Sequence, residues 1–286
     1  MTVRVICDTA CDLPPEVIEE LGVALVPLHV RFGEAEYLDR EQLSTKEFWR
    51  RCSSGPEFPE TAAPSPGSFQ QVFESAASAG ATGAVCVTLS SKLSATYDSA
   101  SQAAKQIGDN FPVRVVDSRS ASLGEGLVVI AAAEAAAQGA DPGATAAAAE
   151  SACRRLSVFG AIDTLENLRR GGRIGGAAAT LGALLSIKPV IEVRNGVVEE
   201  ESKQRTRAKS LRYLAAKVHA AGQLERFAVM GAEAPDFDEF LALVSDVASQ
   251  RPRVVGDIGP AIGTHAGPGA IGVAWVVTET APHAVA

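Results

Sequence analysis

Apolar residues recur along this chain at two spacings, and the spacing assigns the elements. Val3–Cys7 is a short, β-favouring run that stops at Asp8-Thr9 and predicts a first strand. Val17, Ile18 and Leu21 share one helical face between Pro14-Pro15 and Gly22, with Asp12 as the expected cap. Ala24–Val30 predicts a second strand, so the chain opens as a β-α-β unit. Ser44-Thr-Lys-Glu47 has capping-box spacing and predicts a helix through Phe48 and Trp49. Ser65 is placed to cap a further helix with Pro66 at its first position, which carries Phe69, Val72, Phe73, Ala76 and Ala77 on one face and stops at Gly80. Ala84–Leu89 and Val113–Val116 predict two more strands, and Leu123–Gln138 and Pro142–Arg155 two Ala-rich helices. Alternation of this kind implies a parallel, Rossmann-like sheet with helices on both faces.

From about Ser157 the pattern changes. Val158–Ile162 reads as a strand that runs into Asp163-Thr-Leu-Glu-Asn-Leu-Arg-Arg-Gly-Gly-Arg173-Ile, and an Ala- and Leu-rich helix follows, ending near Ser186. Val190–Val193 and Val197–Glu201 flank Arg194-Asn195-Gly196, and Asn-Gly between two strands signals a type I′ hairpin. The helix Thr206–Ala221, the strand Phe227–Met230, the helix Asp238–Ser249 and the strands Val254–Ile258 and Ile271–Val277 complete the pattern. The expected fold is therefore α/β with two domains. Residues 1–156 form a parallel-sheet domain, 157–280 an α+β domain with a mixed or antiparallel sheet, and 281–286 a frayed tail.

Composition narrows the function. At 286 residues with 47% hydrophobic content, the chain buries a sizeable core. A net charge of −8 argues against a broad nucleic-acid footprint or attraction to anionic lipid. The five cysteines include no Cys-x-x-Cys, Cys86 falls inside an apolar strand, and a cytoplasmic location is expected. The N-terminus goes straight into a strand pattern, and no run approaches the length of a membrane span. Gly267-Pro-Gly-Ala-Ile-Gly272 has the glycine spacing of a dinucleotide fingerprint but precedes a strand, and there is no phosphate loop and no Gly-x-Ser-x-Gly elbow. His29, His219 and His283 lack partners at metal-ligand spacing, so no metal site is expected.

The chemistry concentrates around Gly83–Ala100. A buried strand delivers Ser90, Ser91, Ser94 and Thr96 to the start of a helix, where unpaired N–H groups and the helix dipole favour a carboxylate or phosphate. Capping by Ser94 or Thr96 explains the same residues without a ligand. Asp8, Thr9, Asp117 and Ser118 fall at the same carboxyl edge of the sheet, where parallel sheets bind ligands. His265 sits in a glycine-bordered loop, a position that suits either function or close packing. Arg173, between two Gly-Gly pairs, suits an anion or an acidic partner, or marks a tightly packed helix end. Lys203, Arg205, Arg207 and Lys209 form a basic run that is either a solvated face or a local positive patch.

Six ordered segments carry a family resemblance. They are Val-Ile-Cys-Asp-Thr-Ala-Cys-Asp-Leu, Thr61-Ala-Ala-Pro-Ser, Leu-Ser-Ser-Lys-Leu-Ser94-Ala-Thr-Tyr, Val-Val-Asp-Ser-Arg-Ser-Ala-Ser, Asp-Thr-Leu-Glu-Asn-Leu-Arg-Arg-Gly-Gly-Arg-Ile and His265-Ala-Gly-Pro-Gly-Ala. The chain thereby resembles DegV-family proteins over nearly its whole length, the bacterial fatty-acid-binding proteins that serve as the lipid-carrying subunit of fatty acid kinase. The resemblance implies a non-enzymatic carrier without cofactor, holding one long-chain fatty acid between two α/β domains. It implies that Thr61 and Ser94 hold the carboxylate, and that Arg205 and His265 serve phosphorylation by a separate ATP-dependent kinase subunit. Arg173 is a further candidate near the head group. Ala62 stands where the family commonly has Ser, and Ala95 where it has Gly, which removes one hydroxyl and one flexible joint. A competing reading from the residues alone is a serine-dependent acyl hydrolase or acyltransferase with Ser94 as nucleophile. A stand-alone nucleotide enzyme lacks its phosphate loop.

Overall fold

The computed structural model describes residues 2–55, 57–108, 110–180 and 187–279. Its first half runs β1 (Val3–Asp8), α1 (Pro15–Leu21), β2 (Ala24–Val26), β3 (His29–Phe32), β4 (Ala35–Leu38), α2 (Thr45–Ser54), β5 (Glu60–Ala62), α3 (Pro66–Ser78), β6 (Gly83–Thr88), α4 (Thr96–Ile107), β7 (Val113–Asp117), α5 (Leu123–Ala137) and α6 (Pro142–Arg155). The second half runs β8 (Leu156–Ala161), α7 (Glu166–Arg170), β9 (Lys188–Arg194), β10 (Val197–Gln204), α8 (Arg207–His219), β11 (Leu224–Gly231), α9 (Phe237–Leu243), β12 (Val254–Asp257), α10 (Pro260–Ala266) and β13 (Ile271–Val277).

Local chemistry sets many of these boundaries. Ser44, Ser65, Asp141 and Thr206 each accept the backbone N–H three residues on, which satisfies a donor that the first helical turn leaves unpaired. Gly22 ends α1 in the left-handed region at φ 60°. Asn195 and Gly196 turn β9 into β10 with φ 52° and 82°, as a type I′ turn requires.

The strands fall into a parallel sheet of order β2-β1-β6-β7, a mixed sheet of order β10-β9-β8-β13-β11-β12, and a small antiparallel sheet β4-β3-β5. The fold is α/β with a parallel first sheet and a separate mixed second sheet. In the mixed sheet only β11 and β12 run parallel. Between the two sheets lies α5, whose residues Leu123–Ala133 are all buried. It packs on β1 and β6 from one side and on β8, β11 and β13 from the other, which is why its sequence is apolar all round. Separate cores close the outer faces. Phe69 and Phe73 of α3 cover the parallel sheet, and Leu214 of α8 and Phe240 of α9 cover the mixed one.

Several local expectations are corrected. Ala24–Val30 is not one strand: Pro27 cannot donate to a ladder, and the chain divides there into β2 and β3, which join different sheets. Asp12 does not cap α1. It is buried at φ 53° at the end of a 3-10 turn, and Pro14 precedes the helix instead. The helix expected over Asp238–Ser249 stops at Leu243. His265 lies in the last turn of α10 and not in a loop. The Ala- and Leu-rich stretch is a 3-10 segment at Gly175–Thr180, while its continuation over 181–186 and the tail 281–286 lie outside the described residues.

Candidate functional site

A cavity of about 980 Å³, counting its open mouth, lies between the parallel and the mixed sheet. The parallel sheet contributes the segments beyond its strand ends, with Leu28 after β2 and Leu89, Leu93 and Ser94 after β6. Because β1 and β6 are neighbours whose connections leave in opposite directions along the sheet, this is the crevice where such sheets take ligands. The mixed sheet contributes the opposite wall. Alternation along β8 puts Val158 and Gly160 on the face toward α5, and the strand register extends that position into a row, Ile191–Gly160–Gly272–Met230. All four residues of the row line the cavity; Gly160 leaves a trough where a side chain would otherwise meet α5, while the Met230 side chain lies over Gly272.

Polar groups gather at one part of this apolar lining. Thr61, on β5, places its Oγ1 2.9 Å from His265 Nε2. His265 Nδ1 is enclosed without a partner, and a Cβ on Gly171 would stand only 2.1 Å from it. An N–H facing that glycine would be an unsatisfied buried donor, so the network assigns the proton to Nε2, which donates to Thr61 Oγ1. The Thr61 hydroxyl proton is then free to point into the cavity. Burial first, and the Arg173 charge second, lower the His265 pKa to about 4, so the ring is neutral near pH 7. Arg173 donates from Nε to Leu93 O at 3.0 Å and from Nη1 to Gly171 O at 2.5 Å. Its guanidinium, with about five N–H donors, retains others for an anion. Ser94 Oγ lies 2.8 Å from Thr96 Oγ1, and either hydroxyl can donate; with Thr96 as donor, the Ser94 hydrogen is available to a ligand.

The site thus brings together Thr61, Ser94, Arg173 and His265 from both halves of the chain. Arg205 is not among the lining residues. It is exposed between β10 and α8 and has no ion pair among the described residues, whereas Arg207 in the same run is held by Asp236 at 2.8 Å. The other hydroxyls near Ser94 are spent on structure. Ser90 donates to Gly196 O at 2.7 Å, clamping the β9–β10 turn, and Ser91 donates to Asp117 at 2.6 Å. Asp8 accepts the Ala10 and Leu89 amides, both at 2.9 Å, and ties the end of β1 to the end of β6. Among the described residues no hydrogen bond joins Ser94 to His265, and no cluster of three His, Cys, Asp or Glu side chains is placed to hold a metal. The glycine trough and the wall from α10 escaped sequence reasoning, although the unusual Gly160 within a strand was a visible signal.

Known proteins resemble this chain over nearly its whole length. A "DegV domain-containing protein" of Deinococcus radiodurans is 36% identical over 282 residues, spanning 96% of this chain and 98% of its own length. A DegV-family protein of Thermus thermophilus, described as binding fatty acid, is 33% identical with a TM-score of 0.87, over 97% of this chain and 100% of that one. The DegV protein of Bacillus subtilis, described as a fatty acid binding protein, is 28% identical with a TM-score of 0.84 over the same shares. The family model described as an uncharacterised protein of the DegV family matches residues 2–278, and the chain belongs to the DegV family.

Proposed function

We propose that this protein is a carrier that encloses one long-chain fatty acid between residues 1–156 and 157–280, with the tail in the cavity and the carboxylate at Thr61 and Ser94. The observation that carries this reading is a large apolar cavity whose described lining is polar only at Thr61, Ser94, Ser122, Arg173 and His265, with Ser122 held by Asp12. The fatty-acid-binding descriptions of the Thermus and Bacillus proteins support it. Burying about 14 methylenes at about 0.8 kcal/mol each gains roughly 11 kcal/mol before ordering costs, so the tail dominates affinity and the hydroxyls orient the head. The carrier then presents the carboxylate to a separate ATP-dependent kinase subunit, and enclosure shields the resulting acyl phosphate from water. The absence of a phosphate loop from the sequence supports placing nucleotide chemistry on the partner. Five unpaired cysteines suit a reducing cytoplasm, and no helix among the described residues is long and apolar enough to cross a membrane.

Mass spectrometry of lipid extracted from the purified protein is the direct test. A stoichiometric long-chain acid is expected, and delipidated protein that takes up none overturns the reading, as does turnover of acyl esters lost in Ser94→Ala. Thr61→Val and Ser94→Ala each remove one donor from the head and should weaken oleate binding about tenfold while leaving the fold intact, with a modest drop in thermal stability because His265 Nε2 and Thr96 Oγ1 lose a partner. His265→Ala and Arg205→Ala divide differently. Arg205, exposed and away from the lining, should spare oleate binding and impair acyl phosphate formation by the kinase subunit. The His265 variant should impair phosphorylation more than binding. Equal loss of lipid from both variants contradicts this division.

A further inference from the structure

Three non-glycine residues with left-handed backbone, Asp12 (φ 53°), Arg40 (φ 62°) and Ser122 (φ 54°), meet at one buried point beneath the cavity. Such conformations cost free energy and persist only where surrounding contacts fix them. Asp12 is 1% exposed. Its Oδ1 accepts from Arg40 Nη2 at 2.7 Å and from the Gly259 amide at 2.9 Å, and its Oδ2 accepts from Ser122 Oγ at 2.5 Å. Arg40 reaches on to Leu13 O at 3.1 Å and Asp257 O at 3.3 Å. A Cβ at Gly259 would stand 2.7 Å from both Asp12 Oδ1 and Arg40 Nη2, so the backbone there is packed directly onto the ion pair.

The position of these contacts gives them their consequence. Gly259 immediately precedes α10, whose Ala261, Ile262, His265 and Ala266 line the cavity. Ser122, just before α5, lines it as well. One carboxylate therefore fixes the root of the helix that carries His265 and, through Ser122, the part of the lining at the start of α5. At a rise of about 1.5 Å per residue, His265 lies roughly 9 Å along α10 from this root. Its 2.9 Å contact with Thr61 is a hydrogen bond from the far end of α10 to the first half of the chain, against which Gly263 also packs through Trp49. A shift of about 1 Å at the root carries that contact beyond hydrogen-bond range.

We propose that Asp12 and Arg40 are positioning residues for the cavity: their ion pair holds α10 so that His265 and Thr61 meet at the head of the bound acid. This rests on the fatty-acid reading above. The two residues touch no part of the ligand, and their effect falls on the discrimination of a carboxylate over a neutral head more than on burial of the tail.

The test compares delipidated wild type with Asp12→Asn, using oleate and oleyl alcohol as probes and hydrogen exchange of the lipid-free protein. Asparagine keeps an acceptor for Gly259 but loses the charge that Arg40 pairs with. Oleate binding should fall about tenfold, the value of one charge-assisted contact, with oleyl alcohol changed less than about threefold. Amides of α10 should exchange at least about tenfold faster, with those of β6 unchanged. Equal loss of both probes, or unchanged exchange in α10, overturns the proposal. If Asp12→Asn does not fold, Arg40→Met is read in the same way. Should wild type take up neither probe, the fatty-acid reading fails, and exchange in the lipid-free variants still decides whether the ion pair anchors α10.

Discussion

Gly160→Phe should abolish retention of a long-chain fatty acid while raising the stability of the protein. A Cβ at Gly160 meets nothing closer than Ile191 Cγ1 at 3.5 Å, an ordinary contact, so the added side chain has room at its root and grows into the cavity that Gly160 lines, on the side away from the Met230 side chain over Gly272. Occupying that space displaces about five methylenes of a bound tail at about 0.8 kcal/mol each, a loss of about 4 kcal/mol or roughly a thousandfold in affinity. The folded state moves the other way. Phenylalanine replaces a strand glycine whose backbone entropy costs about 0.5–1 kcal/mol, and it buries a ring in space that is otherwise only partly filled. Oleate titration and thermal melting of Gly160→Ala and Gly160→Phe read both effects, the alanine serving as the small control. Wild-type lipid content in a well-folded Phe variant means that the tail lies elsewhere.

That experiment also marks where sequence reading stops. The strands β1, β6 and β7 were legible because each is an uninterrupted apolar run with its turn chemistry at the end, and the caps Ser44 and Ser65 because capping is decided within three residues. The β9–β10 hairpin was legible from Asn195-Gly196 for the same reason. The trough is different in kind. Gly160 and Gly272 become neighbours only through strand register, and nothing local in either segment announces the pairing. The hydroxyl cluster shows the same limit. Four side chains looked equivalent in sequence, yet Ser90 is committed to a carbonyl 106 residues away and Ser91 to Asp117, which leaves Ser94 facing the cavity. His265 was expected in a loop because glycines surround it. Those glycines instead permit packing: Gly263 lies against Trp49, and Gly171 leaves room for the His265 ring.

Raising the pH should stabilise Asp39→Asn relative to wild type, because the native protein keeps a proton on Asp39 that the unfolded chain gives up. Asp39 is buried after β4, and neither carboxylate oxygen has a hydrogen-bond partner; Thr9 and the Ala261 amide lie beside it without reaching normal hydrogen-bond geometry. Burial pushes its pKa from 3.8 to about 7 against the favourable charge of Arg40. Between those limits the native state binds more protons than the unfolded state, so this group's contribution is present below pH 4 and is lost as pH rises through 7. About three pH units at about 1.4 kcal/mol each amount to about 4 kcal/mol. Asp8, also pushed to about 7 by burial, acts with the same sign. His265, held at about 4, acts with the opposite one, since its unfolded form takes up protons that the native ring refuses. His265 remains in the variant and cancels in the comparison; Asp8 cancels in part, because the Asp39 charge is one of the causes that raise it. Urea unfolding of the two proteins at steps from about pH 4 to about pH 8 should therefore show the variant gaining about 4 kcal/mol on wild type across the range. Parallel curves would mean that Asp39 is already ionised in the folded protein, held by Thr9, the Ala261 amide and the Arg40 charge.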